Sequence, residues 1–281
     1  MTVKIVTDGA ADLPIKLLDT MDIKVVPLTV HFDDYVTDSN EDNRLFYERM
    51  KNAKNLPKTS SPSPLQFVEA IAPLQSDVIV LSLSSALSST YQNALIAKEM
   101  LEEDGYAHKV EVIDSKTASM GLGLIVLKAA RLATEGLQRA ELLRYVTEQV
   151  KLTRTYFFLD TLENVIKGGR LDRVKGKIAS VLNIKLLMRA SEEGAVEVME
   201  KIRGSQNAIK RMVDKIGEVK VDFEKAVLAI AHSNDEGKAK DLLEMIKQKY
   251  PFREIIISEM GPVIGTYAGE GGLLVTYSDR D

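Results

Sequence analysis

Cysteine is absent from the 281 residues, which excludes disulfides, thiolate metal sites and a cysteine nucleophile. Neither sign of charge dominates: 37 basic residues face 41 acidic ones, for a net charge of −4. With no Lys/Arg cluster interleaved with aromatic residues, nucleic acid is not an expected partner. No apolar run approaches the ~18 residues that a membrane span requires, while transient contact with a membrane surface stays open. The opening Met1-Thr2-Val3-Lys4-Ile5-Val6-Thr7-Asp8 reads as a strand. It lacks the basic start and apolar stretch of a signal peptide. A soluble, cytoplasmic protein is the expectation.

The familiar signatures of catalysis are missing too. There is no Gly-x-Ser-x-Gly elbow and no Walker phosphate loop. Gly121-x-Gly123 is followed by Val126, so the dinucleotide fingerprint fails. The acidic stretch from Asp33 to Asp42 lacks the central glycine and closing glutamate of a calcium loop, and reads as a solvated loop. His31, His108 and His232 have no metal-ligand spacing. His232 ends an apolar strand, where a hydrogen-bonded core side chain is the simpler reading than a group aimed into a cleft. Nothing resembles a nucleophile beside its base.

What is present is an ordinary globular composition, 45% hydrophobic and 28% charged, enough for a large core. Short β-rich runs alternate with amphipathic stretches, the signature of βαβ units around a parallel sheet. Strands are expected at 3–7, 24–30, 78–83 and 110–113. Helices are expected at 14–19, 43–51, 65–74, 91–103, 121–134 and 139–151. Past residue 152 the pattern changes. Strands at 156–159, 186–190, 196–201, 226–231, 254–259 and 273–277 mix with helices at 205–217 and 236–250, and Ser191-Glu192-Glu193-Gly194 reads as a hairpin turn. The expected fold is α/β with two domains. Residues 1–153 form a three-layer α/β domain with a mainly parallel sheet. Residues 154–281 form a two-layer α+β domain with a mixed or antiparallel sheet.

Ligands of open parallel sheets bind at the carboxyl ends of the strands, and here those ends carry small and polar groups in succession. They are the stretches 7–14, 59–64, 82–92, 114–123 and 261–272. In the second of them Ser63 reads as an N-cap, Pro64 as the first helical residue and Gln66 as the closing member of a capping box. Helix N-termini and hydroxyl donors together make a site for a small anionic group. A further stretch runs Asp160-Thr161-Leu162-Glu163-Asn164-Val165-Ile166-Lys167-Gly168-Gly169-Arg170. The spacing of Asp160 and Glu163 suggests a capped helix, and Gly168-Gly169 a left-handed turn that ends it beside Lys167 and Arg170.

These motifs, in order, resemble those of the DegV family over essentially the whole chain. Thr7-Asp8-Gly9-Ala10-Ala11-Asp12-Leu13-Pro14 is similar to the family's Thr-Asp-Ser-x-Ala-Asp-Leu-Pro. Thr59-Ser60-Ser61-Pro62-Ser63-Pro64 is similar to its Thr-Ser-Gln-Pro-Ser-Pro. Ser84-Ser85-Ala86-Leu87-Ser88-Ser89-Thr90-Tyr91-Gln92 is similar to its Ser-Ser-x-Leu-Ser-Gly-Thr-Tyr-Gln. Its Asp-Thr-Leu-Glu and Gly-Gly-Arg stand at 160–163 and 168–170. Leu182-Asn183-Ile184-Lys185 resembles its Leu-Asn-Ile-Lys-Pro, with Leu186 in place of proline.

The resemblance implies a non-catalytic protein that buries one long-chain fatty acid between its halves and presents the carboxylate to a fatty acid kinase. No metal or other cofactor is implied. It points to Thr59, Ser60, Ser88, Ser89 and Tyr267 as carboxylate contacts, with Arg170 at the mouth for the kinase or the phosphorylated head group. An arginine suits that role through its planar fork of donors. One departure stands out. Where the family commonly has Gly-Thr-His-x-Gly-Pro-Gly, this chain has Gly265-Thr266-Tyr267-Ala268-Gly269-Glu270-Gly271. A phenol donates to a carboxylate but stays neutral near pH 7, whereas histidine can carry charge. Sequestering a sixteen-carbon tail is worth roughly 12 kcal/mol gross at about 0.8 kcal/mol per methylene. The tail would set affinity and the hydroxyl loops orientation. The alternative is an enzyme acting on a small carboxylate or phosphate in the same cleft.

Overall fold

The structure, a computed structural model, describes residues 3–171 and 184–278. Leu182 and Asn183 of the Leu-Asn-Ile-Lys stretch lie outside the described residues. The chain begins with β1 (Lys4–Asp8), α1 (Ile15–Thr20), β2 (Lys24–Val26), β3 (Thr29–His31), β4 (Val36–Asp38), α2 (Asn43–Asn52) and β5 (Lys58–Ser60). It continues with α3 (Pro64–Ile71), β6 (Val78–Ser82), α4 (Thr90–Glu103), β7 (Val110–Asp114), α5 (Met120–Thr134) and α6 (Arg139–Leu152). Then follow β8 (Thr153–Phe158), α7 (Glu163–Lys167), β9 (Ile184–Ala190), β10 (Val196–Arg203) and α8 (Ser205–Ile216). The last elements are β11 (Val227–His232), α9 (Glu236–Lys249), β12 (Glu254–Glu259), α10 (Pro262–Ala268) and β13 (Leu273–Ser278).

Three sheets organise these elements. One is wholly parallel, in the order β2-β1-β6-β7. Its inner strand β6 is the unbroken run Val78-Ile79-Val80-Leu81-Ser82, buried at every position, as a strand covered on both faces must be. The second is mixed, in the order β10-β9-β8-β13-β11-β12, antiparallel except for the β11–β12 pair. The third is a small antiparallel sheet, β4-β3-β5.

Alternation along the strands sorts side chains into layers. On β1, Val6 packs outward against α3 and α4, while Ile5 faces inward. On β8, Tyr156 and Phe158 pack outward against α8 and α9, and Thr155 and Phe157 face the interior cavity. Between the two large sheets lies α5, which touches β1 and β6 on one side and β8, β11 and β13 on the other. That position explains a helix that is apolar nearly all round, with 12 of its 15 residues buried. One continuous core therefore links the two halves. The fold is thus α/β with a parallel sheet and a mixed sheet, as the periodicity predicts.

Local detail departs from expectation in five places. The strand expected at 24–30 splits into β2 and β3, in different sheets, around Pro27, which cannot donate to a ladder. Strand β4 lies inside the acidic stretch read as a loop, and β5 takes in Thr59 and Ser60, the first two residues of the expected hydroxyl turn. Helix α10 occupies part of the stretch read as a glycine-rich loop, opening on Pro262. Asp160 does not cap α7. Its carboxylate instead bonds Lys185 Nζ at 2.8 Å and Lys238 Nζ at 2.5 Å, while Thr161 Oγ1 accepts from the Glu163 N–H. Burial raises the Asp160 carboxyl, yet the two lysines outweigh it and hold the group below the usual carboxylate range. The capping box of α3 is formed as expected, with Ser63 and Gln66 exchanging both bonds. Among the described residues no helix is long and apolar enough to cross a membrane.

Candidate ligand-binding site

A cavity of about 900 Å³ of atom-free space, its open mouth included, lies between the two large sheets. Leu28, Leu83 and Leu87 come from the first half of the chain; Phe157, Leu159, Val263, Ile264 and Leu274 come from the second. Its few polar side chains are Thr59, Ser88, Thr117, Ser119, Thr155, Arg170 and Tyr267, and among the described residues no carboxylate lines it.

Four of these polar groups form one cluster. Thr59 sits at the centre of β5, whose pleat turns it inward while Lys58 and Ser60 face out. Its Oγ1 lies 2.6 Å from the Tyr267 hydroxyl on α10. The Arg170 guanidinium stacks over the Tyr267 ring, 4.7 Å from its centroid. Arg170 also donates from Nε to the Leu87 carbonyl at 3.2 Å and from Nη1 to the Gly168 carbonyl at 2.7 Å. This holds it beside Ser88, whose Oγ lies 2.8 Å from Thr90 Oγ1 at the start of α4.

The structure thus brings Thr59, Ser88, Tyr267 and Arg170 to one cavity and leaves Ser60 and Ser89 off its lining. Ser60 faces the other side of β5 and pairs with His31 Nε2 at 3.0 Å. Ser89 pairs with Ser61 at 2.5 Å. His232 is buried away from the cavity, its Nδ1 accepting from the Asp235 N–H at 3.3 Å.

The double glycine determines how close the cluster can draw. Gly168 has ordinary helical angles, but a Cβ there would stand 2.5 Å from both Cδ1 and Cε1 of Tyr267. Only a residue without a side chain lets that ring lie flat on the turn. Gly169 has φ +74° and open space around it, so its need is backbone freedom alone.

A half-buried carboxyl anchors α10 from the first half of the chain. Asp12, after β1, accepts from the Gly261 N–H at 2.8 Å and from Ser119 Oγ at 2.6 Å. Burial pushes its carboxyl up to about 7 against those bonds, with Asp8 and Glu259 nearby adding to the rise. Asp8 is raised to about 6, again by burial, although Leu83 and Ala10 donate to it. An acid whose folded value lies above its ordinary 3.8 holds its proton more tightly in the folded state. Its contribution to stability is full below that value and is lost as pH rises through about 6 to 7. Denaturant midpoints measured between about pH 4 and pH 8 are therefore expected to have a component that declines with pH, and Asp12→Asn should flatten it. A pH profile unchanged by that substitution would rule Asp12 out as a source.

Thr155, Phe157 and Leu274 were not legible as lining. A period of two says that alternate residues share a face, not which face meets a cavity. Thr117 and Ser119 lie within the polar stretch 114–123, and nothing in their local sequence singles them out.

The family model described as an uncharacterised protein of the DegV family matches residues 2–279. A DegV domain-containing protein of Caldanaerobacter subterraneus subsp. tengcongensis is 32% identical over 283 residues, covering 99% of each chain. A solved DegV family protein from Ruminococcus gnavus, described with vaccenic acid, matches with a TM-score of 0.90 at 27% identity, over 98% of this chain and 99% of that one. The Fatty Acid Kinase (Fak) B3 protein of Streptococcus pneumoniae, loaded with linoleic acid, matches with a TM-score of 0.88 at 28% identity, over 99% and 100%.

Proposed function

The chain belongs to the DegV family, and from that premise we propose that it binds one long-chain fatty acid and presents the carboxylate to a fatty acid kinase. The observation that carries this reading is the cavity itself: hydrocarbon walls, one guanidinium, a few hydroxyls and no carboxylate among the described lining residues. Such a lining rejects a wholly polar substrate, because it would strip water from groups it cannot pair. It suits a ligand that is apolar along its length and anionic at one end.

In this reading Ser88 and the Thr59–Tyr267 pair, which uses one of its two protons internally and offers the other, donate to the carboxylate, and charge-assisted bonds of that kind are worth about 1.5–3 kcal/mol each. Arg170 lies over the cluster and serves the phosphoryl group as it arrives. Ser60 and Ser89 act one step removed, through the loops they brace. The division between the two domains is assigned after residue 153, one residue into β8, which α6 enters directly. The kinase supplies the phosphoryl group from ATP and the protein supplies the carboxylate that accepts it, so no catalysis is expected from the isolated chain.

Mass spectrometry of the organic extract from denatured protein tests this. The expected result is a long-chain fatty acid at close to one molecule per chain. Repeated preparations without an acyl chain, and without uptake of added hexadecanoic acid, would reject it.

A further inference from the structure

Most of the cavity wall is hydrocarbon, but it also carries a row of buried hydroxyls distinct from the Thr59–Tyr267 pair. Thr117 and Thr155 line the cavity, at 4% and 5% exposure, and their Oγ1 atoms are 3.0 Å apart. Thr155 continues the row to Thr276 Oγ1 at 3.2 Å, its cross-strand partner in the β8–β13 ladder. Three hydroxyls carry three protons, and two bonds within the row use two of them.

The third proton sits at one end or, when both neighbours donate to Thr155, on Thr155 itself, which lines the cavity as Thr117 does. At Thr276, which is fully enclosed and off the cavity lining, it would be a buried donor without a further acceptor among the described residues. That arrangement is costly. Running the row from Thr276 through Thr155 to Thr117 leaves the spare proton on Thr117, at the cavity wall. There it needs an acceptor that neither the hydrocarbon lining nor a plain acyl tail provides. On their other side Thr117 and Thr155, together with Ala190, line a second, more polar cleft bearing Lys116 and Arg189. The hydroxyls therefore stand where the apolar cavity adjoins a polar one.

We propose that Thr117 is a specificity-determining residue that donates a hydrogen bond to an oxygen substituent on the acyl chain, so that the preferred ligand is a hydroxylated or keto fatty acid. The inference rests on the fatty-acid reading above and refines it. The oxygen completes the row with no rearrangement of the fold, and a hydroxyl ligand can also return a proton to the lone pairs of Thr155.

The test is displacement of an environment-sensitive fluorescent fatty acid by hexadecanoic acid and by its positional hydroxy isomers. At least one isomer is expected to displace about fivefold more effectively than hexadecanoic acid, the gain of one net hydrogen bond. That ratio should fall to one or below in Thr117→Val, which keeps the shape and removes the donor, and should persist in Thr117→Ser. If hexadecanoic acid displaces the probe and no hydroxy isomer does better, or if the preference survives Thr117→Val, this inference is overturned and the fatty-acid reading stands. If neither plain nor hydroxylated chains displace it, both fall.

Discussion

Arg170→Ala is expected to slow acyl-phosphate formation by the partner kinase about a hundredfold, with a change of less than tenfold in fatty acid affinity. A guanidinium carries five N–H donors. Among the described residues Arg170 commits two of them, to the Leu87 and Gly168 carbonyls, so three remain for an oxyanion at the mouth. Those two backbone bonds and the stack on Tyr267 fix the fork before any ligand arrives. Preorganised charge of this kind acts most where negative charge builds up during transfer. The bound carboxylate, by contrast, has hydroxyl donors of its own, and its tail supplies most of the affinity. Arg170→Lys should recover only part of the rate, since an ammonium cannot reproduce the planar fork. Kinase assays on lipid-loaded protein decide the matter: a wild-type rate in Arg170→Ala removes this side chain from the transfer step.

Gly168→Ala is expected to weaken fatty acid binding about tenfold or more, through a single added methyl group. That methyl would stand 2.5 Å from two ring carbons of Tyr267, and the ring has little room to yield. Its hydroxyl is bonded to Thr59 and its face is covered by Arg170. Relief requires the ring to leave Thr59 or the turn to carry Arg170 away, and either breaks the cluster. Overpacking of this size costs about 1–3 kcal/mol. Gly169→Ala is the control, because its Cβ would meet nothing within 4 Å. It strains a backbone at φ +74° and should lower thermal stability by about 1 kcal/mol without a comparable loss of affinity. Displacement titrations on both variants separate the two effects. Equal affinities for Gly168→Ala and the wild type would mean that Tyr267 takes no part in holding the head group.

Much of this protein is written in short-range terms. Covered parallel strands such as β6 announce themselves as unbroken apolar runs, and α5 as a helix apolar on nearly every side. Ser63, Pro64 and Gln66 state a helix start within four residues, because capping satisfies donors that are neighbours in the chain. Pro27 marks a break by chemistry no neighbour can alter, although its consequence, two strands in two sheets, needs the fold to be seen. Asp160 shows the limit from the other side. Its spacing to Glu163 matches a cap, but Lys185 and Lys238, 25 and 78 residues away, offer charge-assisted bonds that a backbone N–H does not equal.

By itself the chain determined its layered α/β character, the loops that carry polar groups and the turn that carries Arg170, since each follows from contacts within a few residues. Only the tertiary structure decided which of those groups meet. Thr59 and Tyr267 are 208 residues apart yet share a hydrogen bond, and Arg170 reaches back 83 residues to Leu87. It also decided that Thr59 faces the cavity and Ser60 does not, and that Thr117, Thr155 and Thr276 form a single row. Such pairings depend on how two sheets close over one helix, and no local rule of capping or alternation specifies that closure.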